Sequence, residues 1–360
     1  HAQIAPPNPA EKQNLTSQFL RLQEHLLNAF IIAKCFPTRW TTAHTICIQK
    51  DTDPPKIHRL RPLNIYEADL NLVKKILFSR RLTYHAEDNN LLTDDNWGSR
   101  RDKSAGDIGL MKTLNFELSY MTRQNVGLTD VDAKACYDRI IRPIGFMACH
   151  KHGLPLHICC WIATILNCMK HHIITHHGTS KRYYQYREQK ILHGFGQGSC
   201  EAPVVWLLIS SIIFTSMADW AQGIKWSDTE GNLQTKRYSD AFVDDANLWN
   251  NSTQNSKKMV TSMANELQQY QNTLSWTGGA LQLPKCKFVL LLWEFTPEGH
   301  PRIREEKHDI TIERPQHEKQ AIHTLTQQLK HQPATTIHLH QLEQLSGIKA
   351  PTLPTPHQKL

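Results

Sequence analysis

Apolar residues recur at helical spacing in several stretches of the chain. The first stretch predicts an amphipathic helix that ends before Pro37; its apolar positions are Leu15, Phe19, Leu22, Leu26 and Phe30. Residues 260–274 follow the same pattern, and residues 70–82 predict a helix with a basic face. Two more continuous apolar runs, residues 155–169 and 201–220, predict buried helices.

Short apolar runs bounded by turn residues predict strands. They are residues 45–49, 126–132, 238–243, 246–249 and 288–295, with a further hairpin predicted from 173–175 and 183–186 around Gly178. The runs on either side of Asp244 and Asp245 are close enough for a tight hairpin. Because strands and helices alternate unevenly, the pattern favours the α+β class over a regular parallel βαβ array.

Composition narrows the class of protein. The chain has 360 residues, of which 40% are hydrophobic and 21% charged, so we expect a folded globular protein. The formal net charge of +8 suits a polyanionic partner such as nucleic acid, although a solvated basic surface gives the same number. Nine cysteines without a C-x-x-C pair indicate reduced thiols and an intracellular protein.

Neither end of the chain nor its most apolar stretch indicates a membrane protein. The sequence starts at His1 without a signal sequence, and we expect it to be a fragment of a longer protein. Residues 202–217 are slightly short for a bilayer span and contain four hydroxyl residues. We therefore expect a buried core helix and no membrane partner.

Three aspartates stand where side chains project from a sheet. Asp132 ends a predicted strand, and Asp244 and Asp245 occupy a predicted turn. Two Mg²⁺ ions need oxygen ligands from more than one segment, which this placement supplies. An Asp pair in a tight turn is also ordinary turn chemistry, so the pair alone does not decide.

The segments around these aspartates resemble motifs of reverse transcriptases of the non-LTR retrotransposon and group II intron type. Residues 242–245 resemble the aromatic-x-Asp-Asp signature, and residues 132–138 resemble the first palm motif. Residues 196–199 resemble the QGS loop, with Ala202 where the family usually has Ser. The other similar segments, in the family's order, are Arg61-Pro62-Leu63, Trp97-Gly98-Ser99-Arg100 (with Ser99 in place of an aromatic), Gly278-Gly279-Ala280-Leu281 and Pro284-Lys285-Cys286.

The resemblance covers roughly residues 40 to 295 and implies a right-hand polymerase fold. We expect an N-terminal helical extension over residues 1–36, fingers and a ferredoxin-like palm over 37–295, and the start of a partial or atypical thumb, or a linker, over 296–360. The resemblance also implies an RNA-directed DNA polymerase, which joins dNTPs to a DNA primer on an RNA template. Other retroelement domains would lie outside this chain or would not exist.

The resemblance also implies site residues. Asp132 and Asp244 would bind two Mg²⁺ ions, or Mn²⁺ in their place, with the Val131 carbonyl as a further ligand and Asp245 supporting the site. Lys285 would protonate the leaving pyrophosphate.

The remaining predicted residues would contact the nucleotide. Tyr137 would lie under its sugar and exclude a 2′-hydroxyl, while Gln197 and Gly198 would lie against the nascent base pair. Lys50 and Arg61 would bind the triphosphate.

Other residues allow two interpretations. Asp138 either caps the following helix or acts in catalysis. The basic helix with Lys74, Lys75, Arg80 and Arg81 either follows the template backbone or is a solvated face. The histidines between His171 and His177 are predicted not to bind zinc, because the residues between His172 and His176 favour a strand.

Two other functions remain open. An RNA-dependent RNA polymerase shares the two-metal palm but usually has a Gly-Asp-Asp turn, whereas this chain has Val243 before its Asp pair. A catalytically inactive retroelement remnant that binds nucleic acid is the other alternative, which the intact carboxylates disfavour.

Overall fold

The computed structural model describes residues 9–49, 60–185, 193–228, 230–232, 234–252 and 256–313. Lys50 and Tyr186 therefore lie outside the described residues, as does most of the predicted thumb or linker. The domain boundaries after residues 36 and 295 stay predictions.

The N-terminal elements begin with a long helix and then alternate between strands and helices. They are α1 (Pro9–Ile32), β1 (Thr42–Gln49), β2 (Leu60–Tyr66), α2 (Ala68–Lys74), α3 (Thr83–Asp88), α4 (Ala105–Met121), β3 (Asn125–Asp132) and α5 (Cys136–Arg139). A π-helical stretch, Lys75–Leu82, joins α2 to α3 without a break.

The following elements complete the two main four-stranded sheets and add two small sheets of two strands each. They are α6 (Arg142–Lys151), α7 (Leu156–Asn167), β4 (Lys170–Thr175), β5 (Gly178–Thr179), α8 (Ala202–Ser216), β6 (Ile224–Ser227), β7 (Gln234–Arg237), β8 (Ser239–Phe242), β9 (Asp245–Ser252), α9 (Ser256–Trp276), β10 (Lys287–Leu291), β11 (Trp293–Phe295) and β12 (Pro301–Ile303). One small sheet is formed by β6 and β7 and the other by β11 and β12. Single 3-10 turns lie at Thr38–Thr41, Met217–Asp219 and Leu283–Lys285.

One sheet, which we call the palm sheet, has the strand order β10-β3-β9-β8, with all neighbours antiparallel. The chain passes through it as β3, α8, β8, β9, α9 and β10, which is the βαββαβ order of a ferredoxin-like unit. Both the α+β class and the polymerase-like fold predicted from the sequence are confirmed.

The second sheet, which we call the fingers sheet, has the order β2-β1-β4-β5. β1 pairs antiparallel with β2 but parallel with β4, so that Thr42 lies opposite Lys170 and Ile46 opposite Ile174. The hairpin predicted around Gly178 is present, but its second strand starts at Gly178, and Tyr184 contributes only a bridge to His171.

The hydrophobic core runs continuously between the two sheets. It includes Trp40 and Tyr66 at the fingers sheet, Phe195 in a connecting loop and Leu281 beside the palm sheet. Residues 202–219 are long and apolar enough to cross a membrane, but 67% of that window is buried within the protein, as expected for a core helix. The two sheets and α8 therefore share one packed interior.

Candidate active site

The predicted carboxylates meet at one end of the palm sheet. Asp132 is the last residue of β3 and lies directly opposite Asp245, the first residue of β9, while Asp244 stands in the two-residue turn between β8 and β9. Residues opposite each other in an antiparallel pair share one face of the sheet. Asp130 is two residues before Asp132 and accepts a hydrogen bond from the Asn247 amide, which extends this acidic face.

The turn that carries Asp244 has a strained backbone. Val243 has φ of 61°, in the left-handed region that a β-branched residue rarely adopts. Such a conformation costs on the order of 1–3 kcal/mol and persists only where neighbouring contacts hold it.

Two neighbours hold this turn. The buried indole N–H of Trp206, on α8, donates to the Val243 carbonyl at 2.5 Å. On the other side, Gly98 lies so close that an added Cβ would stand 2.2 Å from the Val243 amide nitrogen. The segment before Gly98 is fixed to β8, because the Trp97 amide donates to the Ala241 carbonyl at 2.8 Å.

Lys285 lies at the acidic face. Its Nζ is 2.5 Å from Oδ2 of Asp132, and the pKa of the Lys285 ammonium is raised by this hydrogen bond and by the charges of Asp132, Asp244 and Asp245. Burial raises the pKa of Asp245, and the charges of Asp244 and Asp132 raise it further, while Lys285 lowers it. The three aspartates and Lys285 are therefore close enough to interact electrostatically, and they form one unit.

The chemistry of this unit fits Mg²⁺, because the donors are carboxylate oxygens from two chain segments. Within the described ranges, no group of three or more His, Cys, Asp or Glu side chains is arranged to hold an ion by itself.

A glycine-containing loop lies beside this face and docks on the fingers sheet. The amide of Asn64, on β2, donates to the Gln197 carbonyl at 2.8 Å. Gly198 has φ of 96°, and a Cβ there would stand 2.3 Å from the Asn64 carbonyl oxygen. Only glycine allows this loop to approach β2 so closely.

Tyr137 links that loop to the acidic face. Its carbonyl accepts from the Phe195 amide at 3.0 Å, and its ring is half-buried against the core. Burial raises the pKa of Tyr137, with smaller contributions from Cys136 and Asp244. The ring therefore lies between the core and the carboxylates, at the end of β3.

Asp138 does not cap the following helix, so that expectation is wrong. It lies within α5, and its carboxylate accepts a hydrogen bond from the Gln197 amide. Burial raises the pKa of Asp138 to about 6, and this hydrogen bond opposes the rise. The Gln197 peptide is therefore held at its N–H by Asp138 and at its carbonyl by Asn64.

The basic residues divide differently from the prediction. Lys74 is fully buried and pairs with Glu201, so it does not follow a template backbone. Arg61 is exposed on β2 and lies on the face opposite to Asn64. Lys50 lies outside the described residues.

The histidines of β4, His171 and His172, lie against other rings of the protein. The His171 ring is buried and stacks on Tyr184 with ring centroids 4.8 Å apart. Burial lowers the pKa of His171 to about 4, and the charges of Arg142 and Lys74 contribute, so this side chain is neutral at physiological pH. His172 lies on the other face of β4, near His44.

Sequence reasoning missed Trp206, Gly98 and the buried environment of Lys74. The signal for Gly98 was present, since it belongs to a segment that resembles a family motif, but its contact with Val243 spans the fold. Trp206 stands in a helix whose residues are nearly all apolar, and nothing local marks its indole as a hydrogen-bond donor to the turn.

Comparison with known proteins gives a match to one family model. The family model described as "Reverse transcriptase (RNA-dependent DNA polymerase)" matches residues 48–333. No curated protein sequence matches this chain.

Similar solved structures include three of telomerase. Telomerase from Candida albicans has 10% identity and a TM-score of 0.46, with 71% of this chain and 43% of that chain covered. Two structures from Candida tropicalis have 13% and 14% identity and TM-scores of 0.45, covering 71% and 70% of this chain and 42% and 50% of theirs. This chain thus spans half of those chains or less.

The family model covers well over half of the chain, and it includes both the acidic face and the glycine loop. The chain belongs to the reverse transcriptase family of RNA-dependent DNA polymerases.

Proposed function

We propose that this chain is the catalytic core of an RNA-directed DNA polymerase from a retroelement of the non-LTR or group II intron type. The observation that carries the proposal is the cross-strand position of Asp132 opposite Asp245, with Asp244 in the adjoining turn and Lys285 against Asp132. The order and spacing of the sequence motifs support the retroelement type.

The acidic face would hold the metals. Asp132 and Asp244 would bind two Mg²⁺ ions, or Mn²⁺, with the Val131 carbonyl as a further ligand and Asp245 supporting them. Bound there, the ions would lower the pKa of the primer 3′-hydroxyl and neutralise the triphosphate.

Lys285 would act on the leaving group. Because its pKa is raised by the carboxylates, Lys285 keeps a proton at Nζ at physiological pH. It would give that proton to the pyrophosphate oxygen as the bond to the α-phosphorus breaks.

The nucleotide would occupy the space between the carboxylates and the glycine loop. The Tyr137 ring would exclude a 2′-hydroxyl by overlap, and the Gln197–Gly198 peptide would lie against the new base pair. The bonds of Gln197 to Asp138 and Asn64 contribute to its position, so this surface is preorganised rather than formed on binding. Arg61, which is exposed on β2, and Lys50 would contact the triphosphate.

Primer extension tests the proposal. The protein is given an RNA template, a DNA primer, dNTPs and Mg²⁺, and Asp132→Asn and Asp244→Asn are compared with Asp219→Asn, an exposed aspartate after α8. We expect the first two variants to lose extension by about 10³-fold or more while melting like the parent, because each removes a metal ligand. Asp219→Asn should extend normally.

Three outcomes would contradict the proposal. Undiminished extension by Asp132→Asn would remove the metal assignment. Extension with ribonucleotides alone would favour the RNA polymerase alternative, and template binding without any extension by the parent would favour the inactive remnant.

A further inference from the structure

Lys74 and Glu201 form an ion pair without access to solvent. Nζ of Lys74 lies 2.8 Å from Oε1 of Glu201, and both side chains are 0% exposed. The ammonium also donates to the Ser199 hydroxyl at 3.0 Å and lies 4.1 Å from the centre of the Tyr66 ring. Ser199 in turn donates to the other carboxylate oxygen of Glu201. We call these four residues the Lys74 cluster.

Stability alone does not account for such a pair. Removing two charges from water costs roughly as much as their attraction returns, and apolar replacements of buried pairs are often as stable or more stable. The cluster does fix geometry, however, because an ammonium surrounded by a carboxylate, a hydroxyl and a ring has one favourable position.

The cluster joins side chains from three elements of the fold. Lys74 ends α2 beside the fingers sheet, Ser199 belongs to the glycine loop, and Glu201 is the last residue before α8. It therefore ties the downstream end of the glycine loop both to the fingers and to the main helix of the palm.

The upstream end of the glycine loop is held by two backbone hydrogen bonds. The Gly194 amide donates to the Ile140 carbonyl at 2.8 Å, and the Phe195 amide donates to the Tyr137 carbonyl at 3.0 Å. Gln197 and Gly198 lie between these backbone bonds and Ser199. Besides the bond from the Asn64 amide to the Gln197 carbonyl, the position of their peptide thus depends on the Lys74 cluster at one end and on α5 at the other.

We propose that Lys74 is a positioning residue for the incoming nucleotide, which it never touches: by holding Ser199 and Glu201 it sets where the Gln197–Gly198 peptide lies. The inference rests on the proposed function. Because the cluster is separate from the carboxylates and Lys285, its loss should weaken nucleotide binding and leave the chemical step nearly intact.

The test needs variants that fold. Lys74→Met alone would leave a buried unpaired carboxylate, so the informative variant is the double replacement Lys74→Met with Glu201→Met, which removes both charges at similar volume. Ser199→Ala removes only the hydroxyl link. Arg39→Met is the matched control, because Arg39 pairs with Glu67 and Asp69 at the start of the same helix but its side chain is 55% exposed.

Steady-state extension with saturating template and primer gives the first readout. We expect the double variant to raise the KM for dNTP by about tenfold to a hundredfold, with kcat within about threefold of the parent, because a displaced positioning group costs binding of the aligned substrate. Ser199→Ala should raise KM by a smaller factor in the same direction. Equal KM values in parent and a folded double variant would overturn the inference.

Amide hydrogen exchange gives a readout that does not need activity. Exchange over residues 194–201 should become at least about tenfold faster in the double variant and stay unchanged in Arg39→Met. Unchanged exchange in the double variant would refute the positioning role even in a protein that extends no primer. A parent without extension would refute the proposed function instead, so the two failures are distinguishable.

Discussion

Gly98→Ala is the most direct test of how the catalytic turn is held. Gly98 does not have a positive φ, so alanine fits its backbone conformation, and the effect of the substitution is purely steric. The new Cβ would lie 2.2 Å from the Val243 amide nitrogen and 3.0 Å from its Cα. Both are backbone atoms, so no side-chain rotation relieves the overlap.

The size of the effect follows from these distances. Real Cβ atoms essentially never approach another atom within 3.0 Å, so the turn and the segment of Gly98 must separate by roughly 0.8 Å or more. Overpacking of this kind costs about 1–3 kcal/mol of stability. Displacing a reacting group by about 1 Å lowers the rate by about a hundredfold, so we expect a comparable loss of kcat from the displaced Asp244.

The matched control is Gly109→Ala, in α4. A Cβ there has nothing within 4 Å, so alanine should leave extension unchanged and stabilise the helix by about 0.5–1 kcal/mol. Extension rates at saturating substrate and a thermal melt are measured for both variants, with a Mg²⁺ titration to detect misplaced ligands. A Gly98→Ala protein with the parent's melt, rate and Mg²⁺ dependence would refute the role of this contact.

Three further predictions follow from the site and the fold. Tyr137→Ala should incorporate ribonucleotides much more readily than the parent and lose only about 1–2 kcal/mol, less than a fully buried aromatic, because the ring is half-buried; unchanged sugar selectivity would show that the ring is only a core residue. Burial raises the pKa of Asp95 to about 7, with Arg237 opposing, so this carboxyl favours folding below about pH 4 and loses that contribution as pH rises through 7. In urea unfolding at pH 8, Asp95→Asn should therefore be more stable than the parent by up to about 4 kcal/mol, at 1.36 kcal/mol per pKa unit. This difference in stability should shrink toward pH 4, and equal stability of the two proteins at pH 8 would refute this assignment. Template affinity should fall by about tenfold or more between 50 and 200 mM salt, because phosphate contacts release counterions, and a salt-independent dissociation constant would exclude a backbone-binding surface.

Sequence periodicity was sufficient to predict those helices and strands that are defined by the pattern of their own residues. The strand ending at Asp132, the hairpin at Asp244 and the helices at residues 202–216 and 256–276 all lie close to where their patterns placed them. The predicted strand over residues 288–295 is two strands separated by buried Leu292: β10 pairs with β3, whereas β11 pairs with β12. Local pattern cannot show which neighbours each strand pairs with.

The site was predictable only as far as its motifs extend. Lys74 belongs to a run of basic residues for which the sequence allows a template-binding face or a solvated face, and it does not indicate burial, because the partner Glu201 is distant in sequence and buried polar pairs leave no periodic signal. For Asp138 the sequence allows a helix cap or a catalytic role and does not indicate the contact with the Gln197 amide, which depends on the fold. The left-handed Val243 also contradicts local preference, and its retention depends on Trp206 and Gly98.

The parallel pairing of β1 with β4 has a consequence for synthesis of the protein. Residues 42–46 have their parallel partners in residues 170–174, and β3 of the palm sheet lies between the two segments in the sequence. On the ribosome, β1 therefore cannot pair with β4 until β3 and the three helices after it have emerged. A nascent chain released before residue 170 would expose β1 with only β2 beside it, and an unpaired strand edge of this kind is a site for aggregation.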